Sequence, residues 1–186
     1  MEGVSMKNDI VNLVGDALVE AGSTFREDKK KAYHKVIATE SSVKAKWVLQ
    51  TILDNAEVAE KDISPLCDDT GIPHLVLEIG PDCIVTGRML DEIKEGIKQG
   101  LRKLPGRPMG IMGDSSHRID QSGGLNPDSG GVEPAPILLR RCEENVVRLH
   151  ILMFGGGPAI RAKTYRVFHK HNTQVVLDEI VNWARS

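Results

Sequence analysis

The sequence predicts an α+β protein, in which an N-terminal helical layer packs with a small, mostly antiparallel sheet and flanking helices. Three observations carry this. Up to about residue 60 the apolar residues recur at helical spacing. From His74 onward short β-rich runs appear. Helical spacing then returns over 88–103 and 173–184. The 186 residues suffice for one domain with a core or for two small lobes. We read one domain, helical over 1–60 and α+β over 61–186.

Residues 8–21 set Ile10, Val11, Leu13, Val14, Ala17, Leu18 and Ala21 on one helical face; Asn8 or Asp9 can cap it and Gly22 can end it. A second helix, 26–39, gathers Ala32, Tyr33, Val36 and Ile37, and its Lys29-Lys30-Lys31 run reads as a solvated face. Ser41 or Ser42 can cap a third helix reaching about Ala59. These three helices are expected to form a layer leading to a turn at Cys67. His74 to Gly80 is β-rich, and Asp82 to Val85 either forms a short second strand or leads into the next element. The helix over 88–103 uses Met89, Leu90, Ile93, Ile97 and Leu101; Gly96 and Gly100 each weaken it by about 1 kcal/mol relative to alanine. Residues 104–136 are poor in apolar side chains and read as a long functional loop, or as a crossing to a neighbouring lobe or subunit. Ile137–Cys142 and Val146–Met153, flanking Glu143-Glu144-Asn145, predict a hairpin. Its second strand turns Val147, Leu149, Ile151 and Met153 inward and Arg148, His150 and Leu152 outward.

Composition narrows function. A net charge of −2 offers no basic face for nucleic acid, and 4% aromatic residues provide few stacking platforms. Three widely spaced cysteines, 67, 83 and 142, form neither a zinc-knuckle pattern nor a disulfide framework. Cys83 and Cys142 fall in predicted strands and read as core residues. With no signal peptide and no stretch long enough to span a membrane, the expected setting is the reducing cytoplasm.

The chemistry concentrates in Pro65-Leu66-Cys67-Asp68-Asp69-Thr70-Gly71, where a thiol, two carboxylates and a hydroxyl occupy four successive positions beside Pro and Gly. Alone, this fits either a buried cysteine before an Asx-type turn or a ligand turn for iron or another metal. A second segment, Gly155-Gly156-Gly157-Pro158, follows a predicted strand. It can bring backbone N–H groups close to an anion, or be a tight strand exit.

Together these segments resemble the class I (iron-sulfur) fumarases and the α subunits of L-tartrate dehydratases, whose motif reads Pro-Leu-Cys-Gln-Asp-Thr-Gly. The resemblance extends over roughly 40–185. It includes the helix ending near Asn55-Ala56, the helix Gly87 to Gly100, the turn Leu104-Pro105-Gly106-Arg107-Pro108, the stretch Gly130 to Pro136, and Ile151 to Pro158. The resemblance implies a hydro-lyase that adds or removes water on a small hydroxy-dicarboxylate of the fumarate, malate or tartrate type. It also implies a 4Fe-4S cluster held by three cysteines. Carried over by position, Cys67 resembles the first cluster ligand and Asp69 the aspartate that assists proton transfer. Asp68 stands at a substrate-contacting position, Arg107 resembles a dicarboxylate-binding arginine, and Gly155, Gly156 and Gly157 resemble the Gly-rich loop at the substrate. This chain departs from the family pattern with Asp68 for Gln, Phe154 for Lys, Pro158-Ala159 for Ser-Glu and Val132-Glu133 for Asp-Asn. The family's second and third cluster cysteines lie in a segment beyond Ser186. The resemblance therefore implies partner subunits that supply them and the base, with a homo-oligomer also compatible.

Two other readings stand beside this one. In one, the chain is a divergent non-catalytic member that binds a small molecule or serves assembly. In the other, a single metal ion is held by Cys67, by Asp68 or Asp69, and by a histidine such as His74 or His117.

Overall fold

The computed structural model describes residues 7–67, 70–104, 110, 112, 124–155 and 166–185. Its elements are α1 (Lys7–Ser23), α2 (Glu27–Thr39), α3 (Val43–Asp62), β1 (Thr70–Ile79), α4 (Gly87–Lys103), a 3-10 turn (Ser129–Gly131), β2 (Leu138–Arg141), β3 (Val147–Gly155) and α5 (Thr173–Arg185). Local chemistry sets several boundaries. The Ser42 hydroxyl accepts from the Ala45 N–H at the start of α3, and Thr86 does the same for Met89 at the start of α4. At the end of α3, Ile63 turns left-handed with φ 51° and redirects the chain toward Cys67.

The core lies between one face of the sheet and two helices. Leu75 and Leu77 of β1, flanked by Leu149, Ile151 and Met153 of β3, meet Ile93, Ile97 and Leu101 of α4 and Val14 and Leu18 of α1. The glycines that weaken α4 as a helix are what allow this packing. A Cβ on Gly96 would lie 2.7 Å from the Val11 carbonyl oxygen, and one on Gly100 would lie 2.8 Å from that of Gly15. The backbones of α1 and α4 therefore touch with no side chain between them.

The helical layer is arranged differently from the expectation. α1 packs chiefly on α4 beneath the sheet, whereas α2 and α3 pair with each other. α2 buries no residue and α3 buries Leu53, Ala56 and Ala59. Lys30 ties the two together through Glu60 at 2.6 Å.

The sheet is mixed, in the order β2-β1-β3. The longer pairing, β1 with β3, is antiparallel; the shorter, β1 with β2, is parallel. The expected β2–β3 hairpin does not form, because β1 lies between the two strands. The 142–146 connection instead crosses the end of β1 at Gly80, whose N–H donates to the Val146 carbonyl at 2.9 Å. Only glycine fits there, since a Cβ would lie 2.3 Å from the Glu144 carbonyl oxygen. Residues 82–85 form no strand. Cys83 and Cys142 lie just beyond the ends of β1 and β2, half-buried, rather than inside core strands.

Candidate functional site

The first turn of interest leaves α3 and enters β1. Ser64 N–H donates to the Ala59 carbonyl at 2.9 Å and closes the helix. Leu66 is held from two sides, its N–H donating to the Gly22 carbonyl at 2.9 Å and its carbonyl accepting from the Asn55 side-chain amide at 3.2 Å. Cys67 follows as an exposed thiol. The two bonds to Leu66 come from the end of α1 and from the body of α3, so the helical part fixes the residue that precedes Cys67.

The second segment arrives from β3. The register brings Thr70 opposite Gly155 and Ile72 opposite Phe154, with an irregularity between the two pairs. The start of β1 and the end of β3 therefore meet at one sheet end, with Thr70, three residues after Cys67, opposite Gly155. Phe154 projects on the sheet face away from the core and packs edge-on against His74, ring centroids 4.6 Å apart.

A third segment reaches the same end. Ala135 N–H donates to the Pro73 carbonyl at 2.9 Å, extending the β2 side of the sheet beyond β2 itself. Pro73 has no N–H to offer a neighbouring strand, and the regular β2 ladder has already ended there. The segment is docked upstream by a pair that the sequence reading missed. Arg102 grips Asp128 with two hydrogen bonds, at 3.0 and 2.8 Å. Asp128 also accepts from Gly130 N–H at 2.9 Å. The Arg102 guanidinium, then the Gly130 N–H, hold the Asp128 carboxyl below its ordinary range. The signal was available in Asp128-Ser129-Gly130, an Asx-turn composition.

Of the residues singled out from sequence, Cys67 and Gly155 are therefore brought to the same end of the sheet. Asp68, Asp69, Arg107, His117, Gly156 and Gly157 lie outside the described residues. His74 is described, and it faces Phe154 on the open sheet face. Among the described residues no group of three or more His, Cys, Asp or Glu side chains is arranged to hold a metal ion. The three cysteines do not converge. Cys67 precedes β1, whereas Cys83 follows it and Cys142 follows the parallel strand. The ten residues of β1 separate the two locations by about 30 Å at roughly 3.3 Å per residue. The Cys83 and Cys142 thiols therefore lie far from Cys67.

The far end of β1 carries a second polar cluster. Glu78 projects from the open sheet face yet is buried, because its cross-strand neighbours Arg140 and Arg148 fold over it. Arg140 lies 2.6 Å and Arg148 2.9 Å from its carboxylate, and His150 lies 3.2 Å away. Hydrogen bonds from His150 and Arg148, and the charge of Arg140, hold the Glu78 carboxyl below the usual glutamate range. Arg148 also reaches Glu144. This cluster staples the three strands together, one residue or two from the Gly80 crossing.

The family model for fumarate hydratase (Fumerase) matches residues 11–185, and this chain belongs to that family. The chain is 33% identical over 119 residues to a Methanocaldococcus jannaschii protein named "Putative L(+)-tartrate dehydratase subunit alpha", covering 63% of this chain and 42% of that one. It is 25% identical over 142 residues to a Geobacillus stearothermophilus protein named "Putative fumarate hydratase class I", covering 75% of this chain and 26% of that one. The chain thus spans less than half the length of each of these curated relatives. No helix among the described residues is long and apolar enough to cross a membrane.

Proposed function

We propose that this chain is a component of an iron-sulfur-dependent hydro-lyase acting on a small hydroxy-dicarboxylate of the fumarate, malate or tartrate type, with its site completed by protein outside these 186 residues. The observation that carries the reading is the match to the fumarate hydratase family over residues 11–185, and the pairing of Thr70, three residues after Cys67, with Gly155 supports it. The relative named as a subunit alpha supports a multi-chain enzyme.

In this reading Cys67 supplies one thiolate to a 4Fe-4S cluster, and the missing thiolates come from a further segment or a partner subunit. When bound, such a cluster provides a Lewis-acidic iron. Asp69 moves a proton beside it. Arg107 holds a substrate carboxylate by a two-pronged ion pair, and backbone N–H groups of Gly155, Gly156 and Gly157 hold another. Asp68 contacts the substrate hydroxyl end, where a carboxylate is tolerated if it accepts a hydrogen bond from that hydroxyl. The solvent-exposed thiol and the proposed cluster suit a reducing cytoplasmic setting.

Anaerobic reconstitution with iron and sulfide, alone and with candidate partner chains, tests this. The expected result is a brown species and turnover of fumarate, malate or tartrate in the complete assembly, both lost in Cys67→Ser. The reading fails if no combination of chains takes up iron and none turns over any of these acids.

A further inference from the structure

Beyond the Gly80 crossing, at the opposite end of β1 from Cys67, two thiols converge on consecutive residues of one turn. Cys83 donates its thiol hydrogen to the Asn145 side-chain oxygen at 3.4 Å. Cys142 donates to the Glu144 carbonyl at 3.3 Å. Their backbones are tied to neighbouring residues of the same strand exit, Cys83 N–H to Gly80 at 3.2 Å and Cys142 N–H to Ile79 at 3.1 Å. Two cavities open there, of about 380 and 520 Å³. Cys83 lines the first and Cys142 the second, and Pro81 and Arg141 line both. Arg140 and Arg148 are neutralised by Glu78 and Glu144, but among the described residues Arg141 has no carboxylate partner.

We propose that Cys83 and Cys142 are a redox-responsive dithiol, oxidised by a low-molecular-weight anionic disulfide that Arg141 draws into the cavities. In the first step one cysteine thiolate attacks a sulfur of the small disulfide. Its S–S bond breaks, a mixed disulfide forms and one small thiol leaves. In the second step the other cysteine attacks the protein sulfur, releasing the second small thiol and closing a Cys83–Cys142 bond. Two electrons pass from the protein dithiol to the small disulfide, and the two thiol protons leave with its products. Closure requires the two Cα atoms to lie within about 7 Å, and each cysteine lies outside its strand, in chain that no ladder of the sheet holds. The bond would rivet the exit of β1 to that of β2. This inference does not depend on the proposed activity.

Oxidised glutathione is the probe. Peptide mapping after treating the full chain with it should recover Cys83 joined to Cys142 with the loss of two hydrogens, whether or not the exposed Cys67 carries a glutathione adduct. A reducing thiol should reverse the change. Cys83→Ser and Cys142→Ser should each stop at a glutathione adduct on the remaining partner. Arg141→Gln should slow the reaction several-fold at low salt, with the difference vanishing at high salt. The proposal is overturned if both thiols of the wild-type chain stay open to alkylation after treatment, or if the mapped bond joins Cys67. A rate indifferent to both Arg141→Gln and salt overturns the role given to the arginine. The wild-type alkylation assay needs no variant to fold.

Discussion

At its start β1 follows a turn held by two bonds to Leu66 and an exposed Cys67, and its first residue, Thr70, pairs with Gly155. At its finish the same strand runs under a crossing chain that leaves no room for a methyl group, next to a buried carboxylate gripped from both sides. One end keeps its reactive atom accessible and spends little structure on it. The other is crowded and cross-linked by charge. Stability and the proposed chemistry are thus assigned to different ends of one strand, and substitutions should separate them.

Gly80→Ala should have the largest effect. The added carbon collides with the backbone of residues 144–146 rather than with a side chain that could swing away, so we expect a loss of about 2–4 kcal/mol, read by denaturant unfolding. Glu78→Gln should come next, with a distinctive pH dependence. The folded state holds this carboxyl below its ordinary value, so its contribution is complete above the unfolded glutamate pKa of about 4.3 and is lost as pH falls through the lower folded value. The melting temperatures of wild type and Glu78→Gln should therefore differ at pH 7 and converge in acid; an equal difference at both would place the effect in packing instead. Asn55→Ala removes one of the two ties on Leu66 and should cost about 0.5–1.5 kcal/mol. Cys67→Ser should change stability least, within about 0.5 kcal/mol, as befits an exposed position. A large loss there would erase the contrast between the two ends.

Much of this was legible in the sequence because it rests on local rules. The helices follow their apolar spacing, and the alternation in β3 correctly set Val147, Leu149, Ile151 and Met153 toward the core and Arg148 and His150 away from it. The register sets Thr70, three residues after Cys67, opposite Gly155, the first residue of the glycine segment. What failed was non-local. Ile137–Cys142, the short turn and Val146–Met153 satisfy every local requirement of a hairpin, and nothing in those residues announces that β1 will lie between them. The clue was Gly80, whose need for a bare Cα arises only from a chain crossing above it. Gly96 and Gly100 misled in the same way: propensity counts their cost within α4, while their benefit lies in α1. The place of Arg102 on Asp128 likewise depends on two elements distant in sequence.

The β2-β1-β3 order also bears on how the chain reaches its native state. Two strands adjacent in sequence must remain apart until a third, made much earlier, comes between them. Every ladder of the sheet then joins residues far apart along the chain, a topology that closes large loops before any pairing is rewarded and so folds slowly. The neighbouring strands meanwhile have a short turn and a ready partner in each other. A transient 138–153 hairpin is the natural off-pathway species, and strengthening that turn should slow refolding even where it leaves the native state untouched.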